Sequence, residues 1–355
     1  MYILAIEAVK PGMTLGRDIH HADGRVLLVR GATLQEHHLR RLREMDIRFV
    51  YVDDGRYGQV QLDEAVAEET RARAEAEVHR VMNAVAAGSG FASQRLVQVV
   101  EDIIDEVLAN RGNLVSLTDI RAMRDYTFAH SVGVAVFSLT IASQMGLERA
   151  DLLALGTGAL LHDLGKSLVP PTVLNKPSAL TPQEFAEIRR HVDLGYRLLA
   201  ERPDFGPEPA LVARYHHERL DGSGYPAGLM GRDIPFFARI AAVADVFDAM
   251  STDRVYRRRY LPHETMETLK GGAGTLFDPE VIGAFCEAVA VYPNGSVVRL
   301  NNGLVGVVVR QNRTFPGRPV VRVRLPDHGQ ERLVDLDLLS ELTLFVTEVL
   351  VSQPA

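Results

Sequence analysis

Three textures of apolar spacing follow one another along the chain. In residues 1 to about 60, short apolar runs at Val26 to Val29 and Phe49 to Val52 flank a helical pattern from Leu34 to Met45. Turns are marked by Pro11-Gly12, Asp23-Gly24 and Asp53-Asp54-Gly55, and the whole predicts a small α+β unit. From Leu62 to Ala87 the sequence is rich in Ala, Glu and Arg, which favours a helix broken by Gly88-Ser89-Gly90. Val66, Val78, Val81 and Val85 give that helix only a weak apolar stripe, so a plain surface helix and an orienting connector both fit. The next run, Ser93 to Leu108, carries Leu96, Val97, Val100, Ile103, Ile104 and Val107 at helical spacing and must be packed.

From about Leu114 to Val289 the helical period dominates, with runs at His130 to Met145, Leu152 to Leu161, Gln183 to Leu199, Pro209 to His217, Ala238 to Met250 and Pro262 to Gly271. After Tyr292-Pro293-Asn294-Gly295 the texture changes to short β-branched runs, SVVRL, LVGVVVR, PVVRVRL and ERLVDL, separated by turns. They predict a small antiparallel, barrel-like module or lid. The expected fold is mainly α. Residues 1–60 are expected to form a small N-terminal α+β accessory domain, 61–110 a helical connector, 111–290 the large helical domain and 291–355 a C-terminal β-rich module.

Composition narrows the class. A 46% hydrophobic fraction with 24% charge is that of an ordinary globular protein without disorder. A net charge of -7 argues against binding polymeric nucleic acid, and an anionic substrate would need a local basic pocket. Cys286 is the only cysteine, which excludes an intrachain disulfide and leaves His, Asp and Glu as metal ligands. No window reaches the roughly 18 to 20 apolar residues of a spanning helix, and Met1 to Val9 lacks a basic leader. The expectation is a cytoplasmic protein with no membrane insertion.

The chemistry gathers around His216-His217-Glu218, which runs into Gly222-Ser223-Gly224-Tyr225-Pro226. Upstream stand His130, His162-Asp163 and His191, and downstream stands Asp245, so five of the twelve histidines fall between positions 130 and 217. Any one of these residues alone reads as a packed polar side chain on an apolar helix. Seven N and O donors in ordered segments are too many for one tetrahedral zinc and suit two metals of higher coordination sharing a carboxylate, for which Asp163 is the best bridge. Glu218 is expected to orient an imidazole, with Asp221 and Asp248 as further candidates for that task. Gly222 and Gly224 fit either a turn or a close approach of backbone to a ligand, and Tyr225 fits either core or pocket wall. Asp53-Asp54 reads as a strand-ending turn, and His20-His21 and His37-His38 as solvated surface.

The segments YTFAHS, LLHDLGKSLVP, NKPSALT, RRHVDLG, YHHERLDGSGYPAGLMGRDIP and ARIAAVADVFDAMSTDRVYR closely resemble the HD-GYP subclass of HD-domain phosphohydrolases, in unbroken order over roughly residues 110 to 290. The stretch PGMTLGRDI to RFVYV resembles the small domain that often precedes such enzymes. The resemblance implies a helical HD-type domain that hydrolyses cyclic di-GMP to linear pGpG and, in many members, onward to GMP. It implies His130, His162, Asp163, His191, His216, His217 and Asp245 as metal ligands, and His162, Asp163 and Lys166 as catalytic residues. Lys166, Arg254 and Arg257 match phosphate-contacting positions, and Gly224 and Tyr225 match the substrate-side wall.

Two divalent ions, iron or manganese with zinc or nickel as alternatives, would hold a bridging hydroxide for attack on phosphorus, while the three cations neutralise the phosphate oxygens. Members with a third metal carry a glutamate four residues before the first histidine, where this chain has Tyr126, with Asp125 one position earlier. Val255 replaces a common proline between the two motif arginines. Cyclic di-GMP is the implied ligand, and the connector is a candidate homodimer contact alongside signalling-protein partners. The rival readings are another HD-type nucleotide phosphohydrolase and a non-catalytic module that binds a cyclic dinucleotide or a protein partner.

Overall fold

The structure, a computed structural model, describes residues 1–20, 26–45, 47, 49–62, 65–111, 114, 126–176, 178–251, 260–328 and 330–350. At the N-terminus, β1 (Tyr2–Ala5) pairs antiparallel with β4 (Phe49–Val52), β2 (Ile19–His20) pairs with β3 (Val26–Leu28), and α1 (Glu36–Glu44) lies between the two pairings in sequence. This is the expected α+β unit. Asp54 accepts from the Tyr2 hydroxyl at 2.7 Å and from the Arg56 backbone at 3.1 Å, which is the work of a strand-ending turn.

Two long helices follow, α2 (Glu68–Ala86) and α3 (Ser93–Ala109). Residues 61–110, expected as a connector, place both helices in the main core: Ala74, Val78, Val81 and Val85 of α2 are buried with Leu96, Val100, Ile103 and Ile104 of α3. The weak stripe of α2 suffices because Thr70, Arg71 and Glu77 are buried too, so apolar count alone understates the covered face.

The helical domain continues with α4 (Tyr126–Gln144), α5 (Arg149–Leu160), the short α6 (Pro171–Leu174), α7 (Pro182–Arg189), α8 (His191–Ala200), α9 (Glu208–Tyr215), α10 (Phe236–Ser251), α11 (Pro262–Gly271) and α12 (Pro279–Ala288). The run from Gln183 to Leu199, read as one helix, is two. Arg190 between them keeps φ -62° and ψ -18°, so the backbone leaves the helix by one residue without a glycine or proline to announce it. Phe247 of α10 meets Phe137 of α4 and Phe285 of α12 with ring centroids 4.8 Å apart in both contacts. This aromatic node fixes α10 against α4, and both helices carry site residues.

The C-terminal strands β5 (Val297–Leu300), β6 (Val305–Arg310), β7 (Val320–Asp327), β8 (Gln330–Asp337) and β9 (Val346–Leu350) form one antiparallel sheet in the order β8-β7-β6-β5-β9. The last strand has no counterpart among the expected runs, because its Thr347 and Glu348 interrupt the apolar texture while its ladder to β5 supplies the pairing. Among the described residues β8 and β9 do not pair with each other, so the sheet is open rather than a closed barrel. Alternate residues divide its two faces. Val297 and Val307 join the core of Tyr2, Leu4, Val50 and Val52, while Val298, Val308, Val321 and Val323 make a separate cluster. Ile3 N–H donates to Gly295 O at 3.0 Å, and Arg322 donates to the carbonyls of Tyr57 and Gln59 at 3.1 Å each. The module is thus built onto the N-terminal unit. Among the described residues no helix is long and apolar enough to cross a membrane.

Candidate metal centre

Three helix ends and two helix interiors deliver the polar cluster. His130 lies in α4 and Asp245 in α10; His162 and Asp163 follow α5; His191 opens α8; His216 and His217 follow α9. All seven residues expected as ligands come together. Their donor atoms fall into three overlapping groups, His130 with His162 and Asp245, His162 with Asp163 and His216, and His191 with His216 and His217, each with its atoms within 4.8 Å of one another.

The imidazoles are aimed by backbone. Nδ1 of His162 donates to Ala159 O at 2.8 Å, Nδ1 of His191 to Ile188 O at 2.8 Å, and Nδ1 of His216 to Ala213 O at 3.0 Å. Each of these bonds fixes the tautomer and leaves the Nε2 lone pair facing the cluster. In consequence Nε2 of His162, His191 and His216, together with Oδ1 of Asp163, are buried with no hydrogen-bond partner among the described residues. Four orphaned acceptors in one small volume would be costly in a packed core, at about 1–3 kcal/mol each. A cation that accepts all of their lone pairs removes that cost. The donor set of imidazole and carboxylate fits a borderline first-row divalent ion.

Charge is arranged the same way. Burial pushes the His216 and His191 imidazoles down, and holds His217 at about 3, so all three stay neutral as ligands must. Burial works against ionising Asp163, but Lys166 and His162 outweigh it and hold the carboxyl well below its usual range. Burial likewise opposes the charge on Asp245, yet the bond from His130 keeps that carboxyl ionised. His130 goes the other way: burial lowers it, while Asp245 and Asp248 together raise it to about 9. A divalent ion would take the place of that proton.

Around the seven residues, the orienting groups differ from expectation. Asp248 orients an imidazole, accepting from His130 Nδ1 at 2.6 Å. Glu218 does not: its carboxylate accepts the backbone N–H groups of Ala227 at 2.7 Å and of Gly228 and Leu229 at 3.1 Å. It therefore ties down the loop behind Tyr225-Pro226 through three convergent backbone N–H donors. Asp221 caps its own turn through Ser223 N at 2.9 Å.

Lys166 reaches Asp163 Oδ2 with its ammonium and is only partly buried. A β-carbon on Gly224 would stand 2.4 Å from Glu218 Cα, so this glycine is required by loop packing in its own right. Tyr225 lies against His217 with ring centroids 4.7 Å apart. Arg254 and Arg257, with Asp125 and the side chain of Tyr126, lie outside the described residues.

Two glycines and an arginine went unnoticed in the sequence. A β-carbon on Gly133 would come within 2.1 Å of Asp248 Oδ1, and one on Gly165 within 1.9 Å of His191 O. Both mark places where backbone must yield to the site, and the signal was available as glycine three residues from a ligand. Arg189 lays its guanidinium over Tyr225, 4.2 Å from the ring centroid, a contact between distant segments that no local pattern announces.

The HD domain family model matches residues 98–281, and the model of a KOW domain associated with HD domain matches residues 297–353. A cyclic di-GMP phosphodiesterase of Pseudomonas aeruginosa is 37% identical over 251 residues, covering 71% of this chain and 60% of that protein. A cyclic di-GMP phosphodiesterase response regulator of Xanthomonas campestris pv. campestris is 43% identical over 145 residues, covering 41% of this chain and 38% of that protein. A 3'3'-cGAMP-specific phosphodiesterase of Vibrio cholerae is 35% identical over 175 residues, covering 49% of this chain and 38% of that protein. The chain thus spans 60% or less of the length of these relatives. With the family match running over more than half of its residues, and the histidine and aspartate at 162 and 163 at the middle of the buried cluster, the chain belongs to the HD-domain family.

Proposed function

We propose that this chain is a metal-dependent phosphodiesterase that hydrolyses cyclic di-GMP to linear pGpG. The observation that carries the reading is the convergence of three unpartnered Nε2 atoms and Asp163 Oδ1 in one buried cluster. Two divalent ions, iron or manganese, fit it. His130, His162 and Asp245 would hold one, and His191, His216 and His217 the other, with Asp163 shared between them. Ions held there supply Lewis acidity toward a phosphodiester and a nucleophilic water at neutral pH.

The chain's own residues do the rest. The backbone carbonyls of Ala159, Ile188 and Ala213 keep three imidazoles in the ligating tautomer. Lys166 offsets the buried charge of Asp163 with one of its three N–H donors and keeps two for a phosphate oxygen. Tyr225, which lies against His217 beside a loop that Glu218 anchors, would meet a base or sugar of the substrate. Arg254 and Arg257 are retained as phosphate contacts on the strength of their motif.

Incubating the metal-loaded protein with cyclic di-GMP and separating products by anion exchange tests the reading. Formation of pGpG that stops on chelation is the expected result. The same assay with 3'3'-cGAMP separates the two specificities found among the relatives. A protein carrying both ions that binds cyclic di-GMP and leaves it intact would be a binding module instead.

A further inference from the structure

The cluster is rich in anionic and neutral donors, and a cyclic dinucleotide brings two negative phosphodiesters to it. The cations around it in the described residues are unequally available. Lys166 has its ammonium on Asp163. Arg219 donates to the carbonyls of His216 at 3.3 Å and Glu218 at 2.8 Å, and packs over the Phe277 ring. The neighbouring Arg190 pairs with Glu187 at 2.8 Å, and Lys176 with Glu184 at 2.6 Å.

Arg189 is different. It is the last residue of α7, is exposed, and has no carboxylate partner among the described residues. Its guanidinium lies 4.2 Å from the Tyr225 ring centroid and 5.9 Å from that of Phe185, one turn earlier on the same helix face. Phe185 is itself 48% exposed, more than a surface phenylalanine needs for packing, so the face carries an aromatic and a cation side by side in solvent. Stacking on an aromatic ring occupies the face of a guanidinium and leaves its in-plane N–H fork free. The guanidinium lies over Tyr225, and Tyr225 lies against His217, one of the proposed metal ligands.

We propose that Arg189 is a substrate-contacting residue, whose fork binds a non-bridging oxygen pair of a phosphodiester of the dinucleotide while Tyr225 holds it in place. The proposal rests on the phosphodiesterase reading and names a residue, on α7, that supplies positive charge in addition to that of Lys166, which Asp163 partly offsets. No covalent step is assigned to it.

The test compares the parent with Arg189→Ala, Arg189→Met and Arg189→Lys, with metal content measured for each. Methionine keeps packing over Tyr225 without charge, and lysine keeps charge without the fork. For cyclic di-GMP binding by calorimetry, loss of a charge-assisted bond predicts a Kd raised about tenfold or more in the alanine and methionine variants, partly recovered in the lysine variant. Metal content should match the parent. A parent-like Kd in Arg189→Met would overturn the proposal, because packing alone would then explain the contact. Cyclic di-AMP serves as a control: an equal fold loss supports a phosphate contact, and a loss confined to the guanine ligand overturns it in favour of a base-edge contact.

Inorganic phosphate separates this proposal from the substrate assignment. If the parent ignores cyclic di-GMP yet binds phosphate in an Arg189-dependent way, the substrate reading fails and the arginine site stands. Binding of neither ligand, or a parent that ignores cyclic di-GMP and binds phosphate indifferently to Arg189→Met, removes the site.

Discussion

Asp248 accepts a hydrogen bond from His130 Nδ1 at 2.6 Å, while Asp245, three residues earlier on the same helix, lies 3.1 Å from Nε2 of the same ring. One imidazole of α4 is thus clamped between two carboxylates of α10. The inner one faces the cluster and the outer one sets the ring's angle, and toward a bound metal such an outer partner would raise the ring's basicity.

Asp248→Ala should therefore weaken metal binding about 10- to 100-fold while sparing all seven ligands. It also leaves a buried N–H without an acceptor, at a cost of about 1–3 kcal/mol in stability. Metal titration followed by urea unfolding of the metal-free form reads both effects. Unchanged metal affinity would show that the 2.6 Å bond is structural only.

Gly133→Ala should reproduce that phenotype without removing a polar group. The added methyl would meet Asp248 Oδ1 at 2.1 Å, inside any tolerable contact, and push the carboxylate off His130. Overpacking of this kind costs about 1–3 kcal/mol. A crystal structure of the variant, with the distance from Asp248 to His130 as the readout, checks the cause directly.

His162→Ala and Asp163→Ala should each abolish hydrolysis of cyclic di-GMP while the helical circular dichroism persists. Each removes a donor that makes no side-chain contribution to the apolar core, and the surrounding helices keep their own packing. Activity equal to the parent's under metal-replete conditions would sink the metal-assisted route.

The metal-free protein should be most stable near pH 6.5. His217 is held at about 3 by burial, and His191 and His216 are pushed down for the same reason, from an ordinary 6.5. Below pH 6.5 the unfolded chain takes up protons that these buried rings refuse, so stability falls as pH drops toward 3. His130 acts in the opposite sense. Raised to about 9 by its two carboxylates against burial, it contributes fully below 6.5 and loses that contribution as pH rises through 9. Denaturation in the presence of chelator at pH 5, 6.5 and 9 should trace a maximum, and a monotonic profile would contradict this balance.

Metal loading should saturate at two ions per chain. A third would need an anionic oxygen near His130, and Tyr126, a phenol rather than a carboxylic acid, is a poor substitute for glutamate at that position. Anomalous scattering from crystals grown in excess iron or manganese counts the sites, and a third fully occupied peak at Asp125 or Tyr126 would refute the number.

Much of this protein is written locally. Helical periodicity marks α3, α4, α5 and α10 because each buries a face in one common core, and β-branched runs mark β5 to β8 because a two-sided sheet demands them. The candidate ligands are legible as types and order only as a set, since each taken alone reads equally as a packed polar side chain on an apolar helix. Tertiary structure decided what such patterns cannot carry. The break at Arg190 keeps helical dihedrals and so leaves no mark in the periodicity. Glu218 became a loop anchor rather than an orienter because three N–H groups nine to eleven residues later converge on it. The pairing of Asp248 with His130 and of Arg189 with Tyr225 joins positions far apart in sequence, and only packing of α10 on α4, and of the Tyr225 loop beside α7, brings them within reach. Local sequence fixes which chemistry each segment can offer, and long-range contacts fix the few ångströms that turn those offers into a site.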